Sequence, residues 1–282
     1  MALHTAFAAV VANLGSPSAA LKLTKERGGA RFACVLLALV AVAQLGACAH
    51  VPRERSGEVY DPLEPMNRAI FNVNMAVDRA FIKPVAQGYR AVLPEFVRDR
   101  FHSFVENLLE PRVFVNNLLQ MRLNAAGMTF TRFLMNTTAG VAGLFDPASR
   151  FGLPRQSGDF GQTLYMWGLG SGPYLVLPFF GPSNLRDGVG LGVDLVTETN
   201  LNPLNAAVTD NRATVNFALG FVYGVDLRAR NIETLDAIEA NSIDFYSTLR
   251  SVSQQHREAE LRKTKGLEPE VEPLEDPEAP EK

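Results

Sequence analysis

No charged residue occurs over the 26 residues from Phe160 to Leu185. A run of that length can cross a bilayer as a helix. Here the glycines at 161, 168, 170, 172 and 181 and the prolines at 173, 178 and 182 oppose that reading. Each interior proline removes a helical hydrogen bond, and hydrocarbon offers no water to replace it. Broken backbone at membrane depth survives only inside protein or along a cavity. The segment is therefore either an apolar loop packed in a core or an irregular wall of a lipid-accessible cavity. Composition alone favours the first.

The N-terminus bears on compartment. Lys22, Lys25, Arg27 and Arg31 precede an uncharged apolar run from Phe32 to Leu45, which has the length of a signal-peptide core. The run ends Leu45-Gly46-Ala47-Cys48, the pattern of a bacterial lipobox. Residues 1–47 then form a lipoprotein signal, Cys48 is the lipidated first residue, and 48–60 is a polar tether. The alternative is an ordinary secretory signal with an incidental Cys48. Cleavage before Cys48 also removes Cys34, so the mature chain forms no intramolecular disulfide and no cysteine metal site. It leaves 23 Lys/Arg against 29 Asp/Glu, a net −6. The 17 residues from Gly266 supply all of that excess. A neutral body without a basic stripe argues against nucleic acid.

Short helical patterns follow one another along the body. Asp61-Pro62-Leu63-Glu64 reads as a helix start, with Asp61 as cap and Glu64 completing a capping box. Behind it Met66, Ile70, Val73, Val77 and Phe81 recur at helical spacing. A second helix begins after Pro94, and Pro111 is expected to break or kink it. A third segment covers Val113 to Ala126 and a fourth Thr129 to Thr138. Gly188, Gly190 and Gly192 suggest a close helix contact. Asp210 caps a helix to about Tyr223, and Asp226 to about Arg262 holds one or two more. The Glu/Pro-rich tail, residues 263–282, is expected to be disordered. The fold class is all-α, with a helical domain over 61–262.

Catalytic signatures are missing from the sequence. The mature histidines His50, His102 and His256 fall in unrelated segments, and His102 reads as a solvated surface residue. Gly168-Leu169-Gly170-Ser171-Gly172 lacks the serine position of a nucleophile elbow. No phosphate-binding loop or dinucleotide fingerprint occurs. Glu106, Glu110, Asp146 and Asp159 are scattered, and no pairing can be argued from spacing. The chain reads as a non-enzyme without cofactor or metal.

Several blocks, taken in order, resemble the MlaA (VacJ) family of outer-membrane phospholipid-transport lipoproteins. They are Asp61-Pro62-Leu63-Glu64, Asn67-Arg68, Phe71-Asn72, Lys83-Pro84-Val85-Ala86, Asn116-Asn117-Leu118-Leu119-Gln120, Arg132-Phe133-Leu134-Met135-Asn136-Thr137, Gly140, Gly143, Asp146, Asp159-Phe160-Gly161-Gln162-Thr163-Leu164, and Gly172 to Gly188. The family commonly has Gly-Phe where Pro65-Met66 stands, and Gly where Met121 stands.

The resemblance implies a compact ring-shaped helical domain in the periplasmic leaflet of the outer membrane, with a central amphipathic channel. It implies removal of mislocalised phospholipid from the outer leaflet and its passage to a periplasmic carrier that feeds an inner-membrane transporter. It implies association with a trimeric porin. Channel candidates are Phe71, Asn72, Asn74, Pro173, Tyr174, Leu175, Leu177, Pro178, Phe179, Phe180 and Leu185, with Cys48 as anchor. The competing readings are a structural lipoprotein that scaffolds porins, and a lipid hydrolase with an unrecognised site.

Overall fold

The computed structural model describes residues 61–206, 208 and 211–267. The signal 1–47, Cys48, the tether 48–60 and residues 268–282 of the expected tail lie outside them. Helix α1 (Glu64–Val77) opens the described chain. Its N-cap is Leu63, which makes no side-chain cap bond, so the capping-box expectation is corrected. The reason is competition for Asp61. Its carboxylate, 2% exposed, accepts from Asn67 Nδ2 at 2.8 Å, from Arg250 Nη1 at 3.1 Å and from Tyr246 Oη. A buried carboxylate needs a charge partner more than a helix end needs a cap.

A π-helical turn, Asp78–Ile82, joins α1 to α2 (Lys83–Val92). The N–H of Lys83 reaches the carbonyl of Asp78, five residues back. The widened turn accommodates Pro84, which has no N–H to give. Helix α3 (Glu95–Leu119) continues through Pro111, so the proline does not break it. Glu110 and Val113 are buried on either side of that proline. Packing against α4 (Leu123–Thr138) holds the helix across the missing bond. The expected segment Val113–Ala126 divides at the turn between α3 and α4, where Met121 adopts φ 58°.

After α4 come α5 (Pro147–Arg150), α6 (Phe160–Met166), β1 (Tyr174–Leu177), β2 (Gly181–Asn184) and α7 (Leu185–Leu201). A 3₁₀ turn (Pro203–Ala206) leads on to α8 (Arg212–Arg230), α9 (Ile232–Asn241) and α10 (Phe245–Thr264). The strands pair antiparallel, Tyr174 opposite Asn184 and Leu177 opposite Gly181. This hairpin is the one departure from an all-helical fold among the described residues. Phe71, Tyr174, Val176 and Tyr246 form one buried cluster, with Phe71 edge-on to Tyr246 at 5.4 Å. Ala86, Val225, Ala229 and Ile232 form another between α2, α8 and α9. The glycine contact expected around 188–192 occurs at Gly190. A Cβ there would lie 2.4 Å from the nitrogen of Gly161 in α6.

Buried polar ladders lock the loops. Arg132, 3% exposed, reaches Glu110 Oε1 at 3.3 Å, Asp146 Oδ2 at 3.0 Å and the Leu153 carbonyl at 2.5 Å. Asn136 donates to Asp146 Oδ1 and accepts from the Ala148 N–H. One turn of α4 thereby fixes the chain from Asp146 to Leu153. Two of the acidic residues that looked scattered in sequence, Glu110 and Asp146, are gathered here by one guanidinium. Burial pushes the Glu110 carboxyl up to about 7 against the pull of Arg132. Burial also raises Asp146, but hydrogen bonds from Ser149 and Arg132 outweigh it and hold that carboxyl low.

Two outcomes follow from these positions. Met121 carries a side chain in a left-handed conformation that costs about 1–2 kcal/mol, and it is exposed. Met121→Gly is expected to raise stability by roughly 0.5–1 kcal/mol after the glycine's entropy cost, read as a shift in urea midpoint. Glu110 ionises near 4.5 when unfolded and near 7 when folded. Between those values unfolding releases its proton, so stability falls as pH rises and levels off above about 7. Glu110→Gln should abolish a loss on the order of 3 kcal/mol across that window, measured by urea unfolding of both chains at pH 4.5 and 7.5.

Candidate functional site

The segment that opened the sequence problem folds as a helix, a hairpin and the start of another helix. Gly172 (φ 67°) and Gly181 (φ 79°) adopt left-handed backbone at the base of β1 and the start of β2. Phe179, at the tip, adopts φ 67° without the freedom of glycine. Its N–H donates to Asn74 Oδ1 at 3.0 Å, and Asn74 Nδ2 donates to the Leu177 carbonyl at 2.9 Å. Two turns earlier on the same face of α1, Asn67 does the same. Its Nδ2 reaches the Tyr174 carbonyl at 3.1 Å and its Oδ1 accepts the Val176 N–H at 2.9 Å. Two side-chain amides thus replace the neighbouring strand that β1 lacks on that edge. Asn67 Nδ2 also donates to Asp61, tying the hairpin to the start of the domain.

The other side of the hairpin bounds a cavity of about 780 Å³. Tyr174, Leu177, Phe180, Pro182 and Ser183 supply its hairpin wall. Gly168 to Ser171 supply a second wall, Asp187, Leu191 and Asp194 of α7 a third, and Ser253 to Leu261 of α10 a fourth. Volumes of several hundred cubic ångströms accommodate small-molecule-sized ligands. Apolar side chains and charges share the lining.

The charges are arranged in a fixed frame. Arg257 of α10 binds Asp159 through Nη1 and Nη2, each at 2.8 Å, and Asp187 through Nε at 3.0 Å and Nη2 at 3.1 Å. Asp159 is the N-cap of α6, and Asp187 lies in the first turn of α7 behind its cap Asn184. Burial raises the Asp187 carboxyl, but Arg257 and Arg186 outweigh that and hold it below its usual range. Asp194, 3% exposed, accepts from Asn116 Nδ2 at 2.9 Å and the Phe160 N–H at 2.8 Å. Burial pushes its carboxyl up, because amide donors replace water less fully than a cation would. Gln120 donates to Thr163 Oγ1, which donates to Asn116. The Asn-Asn-Leu-Leu-Gln block is therefore a buried polar ladder joining α3 to α6 and α7.

Of the channel candidates, Tyr174, Leu177 and Phe180 line the cavity. Phe71 sits in the core behind the hairpin, Asn74 holds its edge, and Asn72 is exposed on α1. Pro173 and Leu175 are half-buried; Pro178, Phe179 and Leu185 are exposed. Cys48 lies outside the described residues. Sequence reasoning missed Asp159, Arg186, Asp187, Asp194 and Arg257 as cavity groups, because their pairing spans α6, α7 and α10. It also placed His102 in solvent. The imidazole is half-buried, with Nδ1 2.7 Å from Asp226 and Nε2 3.2 Å from Glu106. Burial lowers its pKa, so it is neutral near pH 7. Among the described residues no group of three or more His, Cys, Asp or Glu is placed to hold a metal ion.

Exposed apolar side chains are frequent: Val92, Phe96, Met121, Phe151, Phe179, Phe180 and Phe217 stand well into solvent. No helix among the described residues is long and apolar enough to cross a membrane.

Comparison with known proteins agrees with this architecture. A family model described as MlaA lipoprotein matches residues 59–260. An uncharacterised protein of Rickettsia bellii is 37% identical over 210 residues, covering 74% of this chain and 80% of the relative. The intermembrane phospholipid transport system lipoprotein MlaA of Shigella flexneri is 34% identical over 210 residues, covering 73% and 80%. That of Haemophilus influenzae is 30% identical over 240 residues, covering 83% and 92%. A solved chain, described in work on the structural basis for maintenance of bacterial outer-membrane lipid asymmetry, superposes with TM-score 0.60 at 32% identity. It covers 71% of this chain and 98% of its own. A match of this extent makes this chain a member of the MlaA lipoprotein family.

Proposed function

We propose that this protein withdraws phospholipid from the outer leaflet of the outer membrane and delivers it to a periplasmic carrier. It does so as a lipoprotein anchored through Cys48 and seated in the periplasmic leaflet beside a trimeric porin. The observation that carries this reading is the cavity beneath the hairpin. Its lining puts Tyr174, Leu177, Phe180 and Leu191 beside four paired charged groups. A phospholipid has the same division between tails and head. Broken Gly/Pro backbone along that wall is the form a cavity permits at membrane depth. Exposed aromatic and aliphatic side chains without a spanning helix suit residence in one leaflet. Transfer along such a path needs no covalent step and no cofactor.

Deleting the protein should increase phospholipid on the outer surface of intact cells, and the wild-type chain should reverse the increase. An unchanged surface would favour the scaffold reading, and release of fatty acid by the purified chain would favour the hydrolase. A second expectation concerns the hairpin. Asn74→Leu leaves the Leu177 carbonyl and the Phe179 N–H without their partner, at about 1–3 kcal/mol. Hydrogen exchange across residues 174–184 should accelerate about tenfold or more. The variant should also alter surface phospholipid while the remaining helices keep their exchange rates.

A further inference from the structure

Most of the cavity's charges are already spoken for. Arg257 is paired with Asp159, Asp187 and Glu260. Arg186, 4% exposed, is paired with Asp187, and Arg112 lies 3.6 Å from Glu198. Lys265 is different. It stands just past the end of α10, lines the cavity, and has no carboxylate within 4.0 Å among the described residues. Its Nζ sits 4.0 Å from the centre of the Tyr165 ring, and the Arg186 guanidinium lies 5.3 Å from the same ring. Tyr165, Arg186 and Lys265 all line the cavity.

An ammonium over a ring face keeps its remaining N–H donors free. A ring held between two cations tolerates a negative charge nearby, and a phosphate brings several strong acceptors. Capping of the α10 carbonyls by Lys265 would explain a lysine at a helix end, but not its seat on a cavity ring. Position 265 also lies beyond residues 59–260, which match the family model.

We propose that Lys265, beside Tyr165 and Arg186, binds the phosphodiester of an amphiphile whose tails run along Leu177, Phe180 and Leu191. The inference rests on the lipid-transfer reading and adds a headgroup site to it. The carboxylates that line the cavity each have a partner: Asp159 and Asp187 are held by Arg257, Asp194 by Asn116 and the Phe160 N–H, and Glu258 lies 3.9 Å from Arg262. Lys265 is exposed, so its replacement removes the contact with the Tyr165 ring and leaves the buried clusters intact.

The test uses the mature lipidated protein in a phosphate-free nonionic detergent. Titration calorimetry compares a short-chain phosphatidylethanolamine, a diacylglycerol with the same chains, and inorganic phosphate. Phosphorus NMR monitors the first and last. The wild-type chain should bind the phospholipid about tenfold more tightly than the diacylglycerol. Lys265→Glu should remove that preference without changing diacylglycerol affinity, and Lys265→Arg should keep it. Equal binding of the two amphiphiles, or an unaltered preference in Lys265→Glu, overturns the headgroup site and leaves the lipid-transfer reading standing. Inorganic phosphate binding as tightly as the phospholipid makes the ligand a free anion and overturns the proposal. Failure of both amphiphiles to bind overturns the lipid-transfer reading with it.

Discussion

The guanidinium of Arg257 is the point on which the site depends. It holds the cap residue of α6 and the first turn of α7 to the last helix of the described chain. Nothing in the backbone obliges those helix ends to meet. Their proximity is made possible by Gly161 and Gly190, where a Cβ on either would collide with the other helix or with the Asp187–Arg257 pair. Breaking one partner of such a cluster leaves an uncompensated charge and costs about 3–5 kcal/mol. The cluster contributes less to net stability than that figure suggests, because desolvation offsets much of the attraction. Its value is positional. It sets the distance of α10 from the first turns of α6 and α7, and hence the separation of the α7 and α10 walls of the cavity.

The same logic governs the hairpin. A two-stranded sheet is marginal by itself in water. Here one face packs Tyr174 and Val176 against Phe71 and Tyr246, and the free edge is satisfied by Asn67 and Asn74. Rigidity is therefore graded along it. The base is bound through Asn67 to Asp61, Tyr246 and Arg250, whereas the tip is bound through Asn74 alone. Exposed Phe179 and Phe180 sit at the less restrained end.

Much of this was legible in the residues. Helical spacing after Glu64 gave α1, the prolines and glycines excluded a spanning helix between 160 and 185, and the glycine run of α7 pointed to a close contact. The failures have a common cause. Asp61 looked like a cap, Pro111 like a break and His102 like a solvated residue because each was judged by its neighbours in sequence. Tyr246 and Arg250 claim Asp61, α4 supports Pro111, and Asp226 draws in His102. Each partner lies far along the chain or on another helix, and local patterns carry no trace of it. The cavity charges were hidden for the same reason, and the strands of the hairpin were hidden too, because the glycines and prolines around them read as an irregular loop.

The buried amides explain why several of the sequence blocks are polar although the domain exposes many apolar side chains. Asn67, Asn116, Asn117 and Asn136 are all nearly inaccessible, and each joins separate segments by donating and accepting. A domain that offers apolar side chains to lipid cannot rely on hydrophobic contrast alone to decide which faces turn inward, since acyl chains and a protein core are equally apolar. Neutral amides settle the choice. Each is unfavourable against hydrocarbon and satisfied only in its own pairing. They also avoid the charge that would draw lipid headgroups to the wrong place. Ion pairs lie around the cavity, between the α1–α2 and α8–α9 pairs and at Arg132 of α4, and the apolar side chains of the hairpin tip stay exposed.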